Sequence, residues 1–195
     1  GGHPYGIGLT YQHANIIEYS QHAFITWGWE RHNDYAGNFV VLPSPMLSKI
    51  KNKHVSRTEQ IILVGTLARL HSHRIQPTPT PQKQINYLAD KKEFIELLGD
   101  NILQNLLYRY FPPHDGAVND KKFIGLHFPE VNFCEGDLDA QMLECKLLVV
   151  DHLGTTINKA VAANIPFIGF WNFEDSPISE EARPFFDELI EAKVL

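Results

Sequence analysis

The stretch Leu147-Leu148-Val149-Val150-Asp151-His152-Leu153-Gly154-Thr155-Thr156 carries the most information about the fold of this 195-residue chain. Its first four residues are all apolar, which predicts a strand covered on both faces, as in a parallel sheet. The strand ends at Asp151, and a short turn then leads into a predicted helix from Gly154 to Ala163. A buried strand that passes through a turn into a helix is typical of an α/β domain.

The same alternation extends over most of the chain. Apolar runs predict strands at Gln60–Val64, Phe123–Leu126, Val131–Phe133 and Pro166–Trp171. Helical spacing predicts two helices that are divided near Gly99-Asp100, and the second of them ends near Leu107. Further helices are predicted after the later strands. From residue 60 onward, strands and helices in alternation predict a Rossmann-like, doubly wound parallel sheet.

The chain before residue 60 has a different character. Residues 1–20 are rich in glycine and histidine, and Asn38–Leu42 is a predicted strand that Pro43-Ser44-Pro45 ends. Residues 43–59 are polar and basic. We therefore predict an N-terminal fragment over 1–50, a linker over 51–59 and an α/β domain over 60–195.

The composition excludes several classes of protein. With 17 Lys and Arg against 23 Asp and Glu, the net charge of −6 disfavours a nucleic-acid binder. Two cysteines, Cys134 and Cys145, form neither a disulfide framework nor a CxxC clip, and the ten histidines show no HExxH spacing. We therefore expect no metal and no cofactor. The apolar runs are far shorter than the ~20 residues of a membrane-spanning helix.

The turn Gly154-Thr155-Thr156 is the strongest candidate site. Helix N-termini present unpaired N–H groups and a partial positive charge, so they bind phosphate. Glycine permits close approach of a ligand, and the two threonine hydroxyls add donors. The alternative is that Thr155 or Thr156 only caps the helix. The turn is neither a GxxxxGK[ST] loop nor a GxGxxG fingerprint.

A second candidate follows the first strand of the α/β domain. Gly65-Thr66-Leu67-Ala68-Arg69 and Arg74 are expected at the same sheet edge as Gly154, because parallel strands end together. Arginine pairs with a diphosphate through two hydrogen bonds. Solvated loop arginines are the alternative.

Two weaker candidates lie elsewhere in the chain. Arg109 is predicted at a strand end that points toward the cleft, although burial of Tyr108 and Tyr110 explains the same pattern. His3 lies in a glycine-rich segment, where an imidazole can act as a general base toward an acceptor hydroxyl. A flexible terminus is the alternative for His3.

Several motifs together resemble the C-terminal half of a GT-B glycosyltransferase. More narrowly, they resemble a family of bacterial transferases found with surface-polysaccharide biosynthesis. The motifs are Gly1-Gly2-His3-Pro4-Tyr5-Gly6, Thr26-Trp27-Gly28-Trp29, Leu42-Pro43-Ser44-Pro45, Tyr108-Arg109-Tyr110, and Asp151 through Pro166. The last is the most specific, and CDP-glycerol-type glycerophosphotransferases share the general layout.

The resemblance implies a nucleotide-sugar-dependent transferase in the cytoplasm or at the inner face of the membrane. Residues 1–50 would end an acceptor domain, and 60–195 would bind the donor. The donor diphosphate would lie on Thr155 and Thr156, and the acceptor would be a hydroxyl of a glycan or a lipid-linked glycan. Many GT-B enzymes have a Glu that binds the donor ribose at the position where this chain has Lys159. Lys159 is therefore expected to contact a phosphate of the donor instead.

The resemblance also bears on the catalytic base and on the rival functions. The chain starts inside the glycine-rich motif, so we expect the usual base to be missing, with His3 as the candidate substitute. We expect this fragment alone to be inactive because the cleft needs both domains. The alternatives are a CDP-glycerol-type glycerophosphotransferase and a non-catalytic α/β nucleotide-binding module.

Overall fold

The computed structural model describes residues 22–28, 30, 37–68, 70, 83–113, 115–174, 178, 180 and 182–195. In chain order its elements are β1 (Phe24–Trp27), β2 (Phe39–Leu42), α1 (Pro45–Ile50), β3 (Ile61–Val64), α2 (Gln84–Glu96), α3 (Asp100–Leu103), β4 (Leu106–Arg109), α4 (Asp120–His127), β5 (Asn132–Phe133), α5 (Leu138–Met142), β6 (Leu147–Val150), α6 (Thr155–Ala163), β7 (Phe167–Gly169) and α7 (Arg183–Glu191).

Five parallel strands form the main sheet, in the order β5-β4-β3-β6-β7. The chain starts at the central strand β3, winds outward through β4 to β5, and then returns to β6 on the other side of β3. This order makes the domain a Rossmann-like α/β fold, as the sequence predicts.

Helices cover both faces of the sheet because its strands are apolar on both sides. Ile62 and Val150 pack with α5, α6 and α7, whereas Leu63 and Val149 pack with α2 and α4. Each fully buried Leu, Ile or Val stabilises the fold by roughly 1.5–3 kcal/mol. The two layers therefore hold the carboxyl ends of the strands in fixed positions.

Two segments have a different structure from the predicted one. Phe123–Leu126, predicted as a strand, lies in helix α4, where the Asn119 side chain accepts a hydrogen bond from the N–H of Lys122 and so caps the first turn. Leu106 and Leu107, predicted as helical, lie in β4 and pair with β3. Short apolar runs fit either element, and here a cap and a strand partner decide between them.

The segment before the main sheet contains two short parallel strands and a helix. β1 pairs with β2, and the strand predicted at Asn38–Leu42 is confirmed. Helix α1 was not predicted; it begins after Ser44, whose side chain accepts from the N–H of Leu47. Within the described residues, no helix is long and apolar enough to cross a membrane.

The predicted linker lies against the α/β domain. Backbone N–H groups between Asn52 and Thr58 donate to carbonyl groups of Ala162 and Ala163 at the end of α6, and to those of Leu143 and Glu144 after α5. Residues 51–59 are thus attached to the layer formed by α5 and α6. The division into three parts stays a prediction.

Candidate functional site

The topological switch point of the sheet lies between β3 and β6. The two strands pair in parallel, with Val64 opposite Val150, so both end at the same edge. Gly65-Thr66 follows β3, and the turn from Asp151 to Gly154 follows β6. In open α/β sheets, ligands bind in the crevice at this point. The structure thus brings together the two predicted loops.

Helix α6 begins at the switch point without a side-chain cap. Gly154 is its N-cap residue, with φ −152° and ψ 173°, and none of the described side chains caps it. Thr155 and Thr156 are the first two helical residues, so neither threonine is the cap that the alternative interpretation required. Both are half-buried. The first N–H groups of α6 are thus available to an anion.

A buried ionic cluster lies beneath this edge of the sheet. The ammonium group of Lys91, from α2, lies 2.7 Å from Asp120 Oδ2 and 3.1 Å from Asp151 Oδ2. It donates to the hydroxyls of Tyr87 and Tyr108 at 2.8 and 2.7 Å. The Tyr108 hydroxyl in turn donates to Asp120. The side chains of Lys91 and Asp151 are both 0% exposed, so water does not screen these charges.

Interactions within the cluster oppose the effect of burial on the pKa values of Lys91 and Asp151. Burial alone would raise the pKa of Asp151, but the Lys91 ammonium and the hydrogen bond with His152 bring that pKa below its ordinary value. Burial likewise opposes the charge of Lys91, yet Asp151 and the neighbouring groups hold the pKa of Lys91 well above its usual range. Burial is also the main cause of the raised pKa values of Tyr87 and Tyr108.

Tyr87 joins the two loops of the switch point. Its hydroxyl accepts a hydrogen bond from the N–H of Thr66, 3.1 Å away, and donates to Asp151 Oδ2 at 2.8 Å. The loop after β3 and the turn after β6 are therefore held together through a buried side chain of α2. A change in this hydroxyl would affect both loops.

This cluster was not predicted from the sequence, although one signal was present. Tyr87, Lys91 and Ile95 recur every four residues, and all three are buried on one face of α2. A lysine on an otherwise buried stripe indicates a buried ion pair, because an unpaired buried charge is too costly. Its partners are distant in sequence, so the spacing alone does not identify them.

Gly65 is required by the cluster itself. A Cβ atom at this position would overlap the Tyr108 hydroxyl and would lie 3.1 Å from Asp120 Oδ2. The absent side chain thus leaves room for buried protein groups. The contact predicted between Gly65 and a nucleotide-linked donor stays a prediction.

Two of the predicted basic residues contact protein groups. The Arg109 guanidinium donates from Nη1 to the carbonyl oxygens of Cys134 and Gly136, at 3.2 and 2.9 Å, and so holds the loop after β5. Lys159 forms an ion pair with Asp139 on α5. Their roles toward phosphate stay predictions. His3, Arg69 and Arg74 lie outside the described residues.

No group of three or more His, Cys, Asp or Glu side chains among the described residues is arranged to hold a metal ion.

A family model described as "LIC12162 family transferase" matches residues 1–195. No curated protein matches the chain. No solved structure matches it either.

Proposed function

The chain belongs to the LIC12162 family of transferases, and from that premise we propose that it moves a group from a nucleotide-linked donor to a hydroxyl acceptor. The observation that carries the proposal is the start of α6 at the switch point of the sheet, which none of the described side chains caps. A helix start favours negative charge, and a diphosphate brings two such charges to one small volume.

This position also suits the chemistry of transfer. The acceptor hydroxyl oxygen attacks the transferred group and gives its proton to a base, for which His3 is the candidate, and the bond from that group to the diphosphate breaks. The diphosphate leaves with the bonding electrons, so its negative charge increases in the transition state. The N–H groups of Thr155 and Thr156 are fixed in advance by the helix, and fixed donors stabilise developing charge with little reorganisation.

We propose a sugar nucleotide as the donor and a glycan as the acceptor, in bacterial surface-polysaccharide biosynthesis. The support for this narrower proposal is the resemblance to GT-B enzymes, together with the Rossmann-like sheet. A CDP-glycerol-type glycerophosphotransferase would use the same diphosphate site. A preference for CDP over UDP would favour that alternative.

Calorimetric titration of the full-length protein with CDP, UDP and GDP tests the proposal. We propose that the two threonine hydroxyls also donate to the diphosphate. Thr155→Val and Thr156→Val keep the backbone N–H groups but remove these hydroxyls, so each should weaken binding by about ten- to a hundredfold, because a hydrogen bond to a charged group is worth roughly 1.5–3 kcal/mol. Thermal melts should barely change, because Gly154, and not a threonine, is the N-cap residue.

Thr58→Val is the matched control. Thr58 precedes β3 at the opposite edge of the sheet, where its hydroxyl donates to the carbonyl of Glu144. This variant should keep wild-type affinity. The proposal fails if the wild-type protein binds none of the three nucleotides, or if one binds and neither Thr155→Val nor Thr156→Val changes its affinity.

A further inference from the structure

His152 lies at the switch point, in the turn between β6 and α6. Its Nδ1 atom is 2.9 Å from Asp151 Oδ1, and its side chain is 14% exposed. The other ring nitrogen, Nε2, lies 2.7 Å from where a Cβ atom on Gly154 would be. Nε2 has no hydrogen-bond partner among the described residues, and the buried atoms of this kind there belong to Asp120 and Trp171. Nε2 is therefore open to solvent beside Gly154.

Asp151 decides which nitrogen of the His152 ring carries the proton. Burial alone would raise the pKa of Asp151, but Lys91 and the hydrogen bond with His152 bring it below its ordinary value. An ionised carboxylate only accepts hydrogen bonds, so the proton between the two side chains lies on Nδ1. In the neutral imidazole, Nε2 is then an acceptor with a free lone pair.

The buried cluster also fixes the orientation of the Asp151 carboxylate. Its Oδ2 atom accepts from the Tyr87 hydroxyl at 2.8 Å and lies 3.1 Å from the Lys91 ammonium, which can only donate. The carboxylate cannot turn without losing both contacts. Two side chains of α2 thus hold the group that holds the His152 ring.

We propose that Nε2 of His152 accepts a hydrogen bond from a hydroxyl group of the nucleotide-linked donor, with Asp151 as the residue that positions the ring. The ligand rests on the proposed function, whereas the tautomer of His152 does not. Ligands of open α/β sheets bind in the crevice at the switch point, where Nε2 is open to solvent. A nitrogen lone pair takes an O–H group, and both the ribose and a transferred sugar carry such groups.

Nitrogen-15 spectra of the neutral imidazole groups, recorded without ligand, test the tautomer. We expect the proton of His152 on Nδ1, in a signal that is assigned by its loss in His152→Phe. Two other rings serve as references: His54 donates from Nε2 to the carbonyl of Cys145 at 2.8 Å, and His127 donates from Nδ1 to that of Phe123 at 2.9 Å. A His152 proton on Nε2 would overturn the proposal.

Asp151→Asn should move the proton to Nε2. The amide oxygen of this variant must face Lys91 and Tyr87, because both donate, so the amide NH₂ group faces His152 Nδ1. Nδ1 must then accept, and the open nitrogen becomes a donor. Asp100→Asn, at an exposed position at the start of α3, is the matched control and should leave the tautomer unchanged. A proton that stays on Nδ1 in Asp151→Asn would show that Asp151 does not position the ring.

Calorimetric titration with UDP and UDP-glucose tests the hydroxyl contact. His152→Phe keeps a ring but removes Nε2, so we expect affinity to fall about two- to tenfold. An equal loss for both ligands assigns the hydroxyl to the ribose, and a loss for UDP-glucose alone assigns it to the transferred group. His127→Phe changes an exposed ring on α4 and should keep wild-type affinity.

The outcomes separate this inference from the proposed function. If a nucleotide binds in a Thr155- and Thr156-dependent way and folded His152→Phe keeps full affinity for both ligands, His152 does not contact the donor. In the wild type the Nε2 signal should shift when ligand is added, and this readout does not depend on the folding of a variant. If neither ligand binds the wild-type protein, the proposed donor site is wrong and the hydroxyl contact falls with it.

Discussion

Replacing Lys91 with methionine tests whether the ionic cluster holds the switch point together. The change removes the ammonium group that lies 2.7 Å from Asp120 and 3.1 Å from Asp151. The Lys91 side chain is fully buried, so the two carboxylates would lose their cation in a site that water does not reach. Methionine is unbranched and adaptable, so it fills much of the same space. The main cost is therefore electrostatic.

Removing one partner of a buried ion pair costs about 3–5 kcal/mol. We expect Lys91→Met to lower the free energy of unfolding by that amount at neutral pH, as measured by urea denaturation. The matched control is Lys92→Met, which removes an exposed lysine paired with Glu96 on the same helix. A pair of this kind contributes about 0.3–0.5 kcal/mol, so the two neighbouring substitutions should differ by several kcal/mol.

The pH dependence gives the sign of the effect. In the wild type the pKa of Asp151 is lowered, so its stabilising contribution is present above the unfolded-state value and is lost as the pH falls through the folded-state value. Without Lys91, burial dominates and raises the pKa of Asp151. The variant then gains stability relative to wild type as the pH falls, so the difference between them should shrink as the pH is lowered from neutral.

A double variant protects the test against complete unfolding of Lys91→Met. Adding Asp120→Asn to Lys91→Met removes one of the two buried carboxylates that have lost their cation. The double variant should therefore be more stable than Lys91→Met alone. The reasoning is refuted if Lys91→Met is as stable as Lys92→Met, or if the double variant loses further stability in proportion to two independent sites.

Further predictions follow from the glycine and the arginine at this edge of the sheet. Gly65→Ala should lower the free energy of unfolding by about 1–3 kcal/mol, because the added Cβ would overlap the Tyr108 hydroxyl; urea denaturation measures this, and an unchanged midpoint would contradict it. Arg109→Met should lower it by about 1 kcal/mol, because two carbonyl groups that water can also reach lose their charged donor. If nucleotide affinity in calorimetry also falls in a folded Arg109→Met protein, the guanidinium contacts phosphate as the sequence predicts.

The sequence predicts the sheet well because its strands have a strong local signal. The strands predicted around Ile61–Val64 and Leu147–Val150 are continuous apolar runs, and both are confirmed in one parallel sheet. The predictions of a strand at Phe123–Leu126 and of a helix at Leu106 and Leu107 were wrong, because short apolar runs fit a strand or a helix equally. A cap and a strand partner resolve that ambiguity, and both depend on residues outside the run.

The site was predicted only in part, for a related reason. Gly154-Thr155-Thr156 is contiguous, so the helix start was visible in the sequence and is confirmed. The cluster that lies beneath it joins Lys91 to Asp120 and Asp151. Asp120 is 29 residues from Lys91 in the sequence, and Asp151 is further away. Such contacts depend on how α2 and α4 pack on the sheet, and no spacing in the sequence encodes that packing.

The most direct test of the proposed donor site is a crystal structure of the full-length protein with UDP or CDP. We expect diphosphate oxygens at hydrogen-bond distance, about 2.7–3.2 Å, from the backbone nitrogens of Thr155 and Thr156. The base should lie in the crevice between the ends of β3 and β6. A nucleotide bound with its phosphates away from the start of α6 would contradict the account.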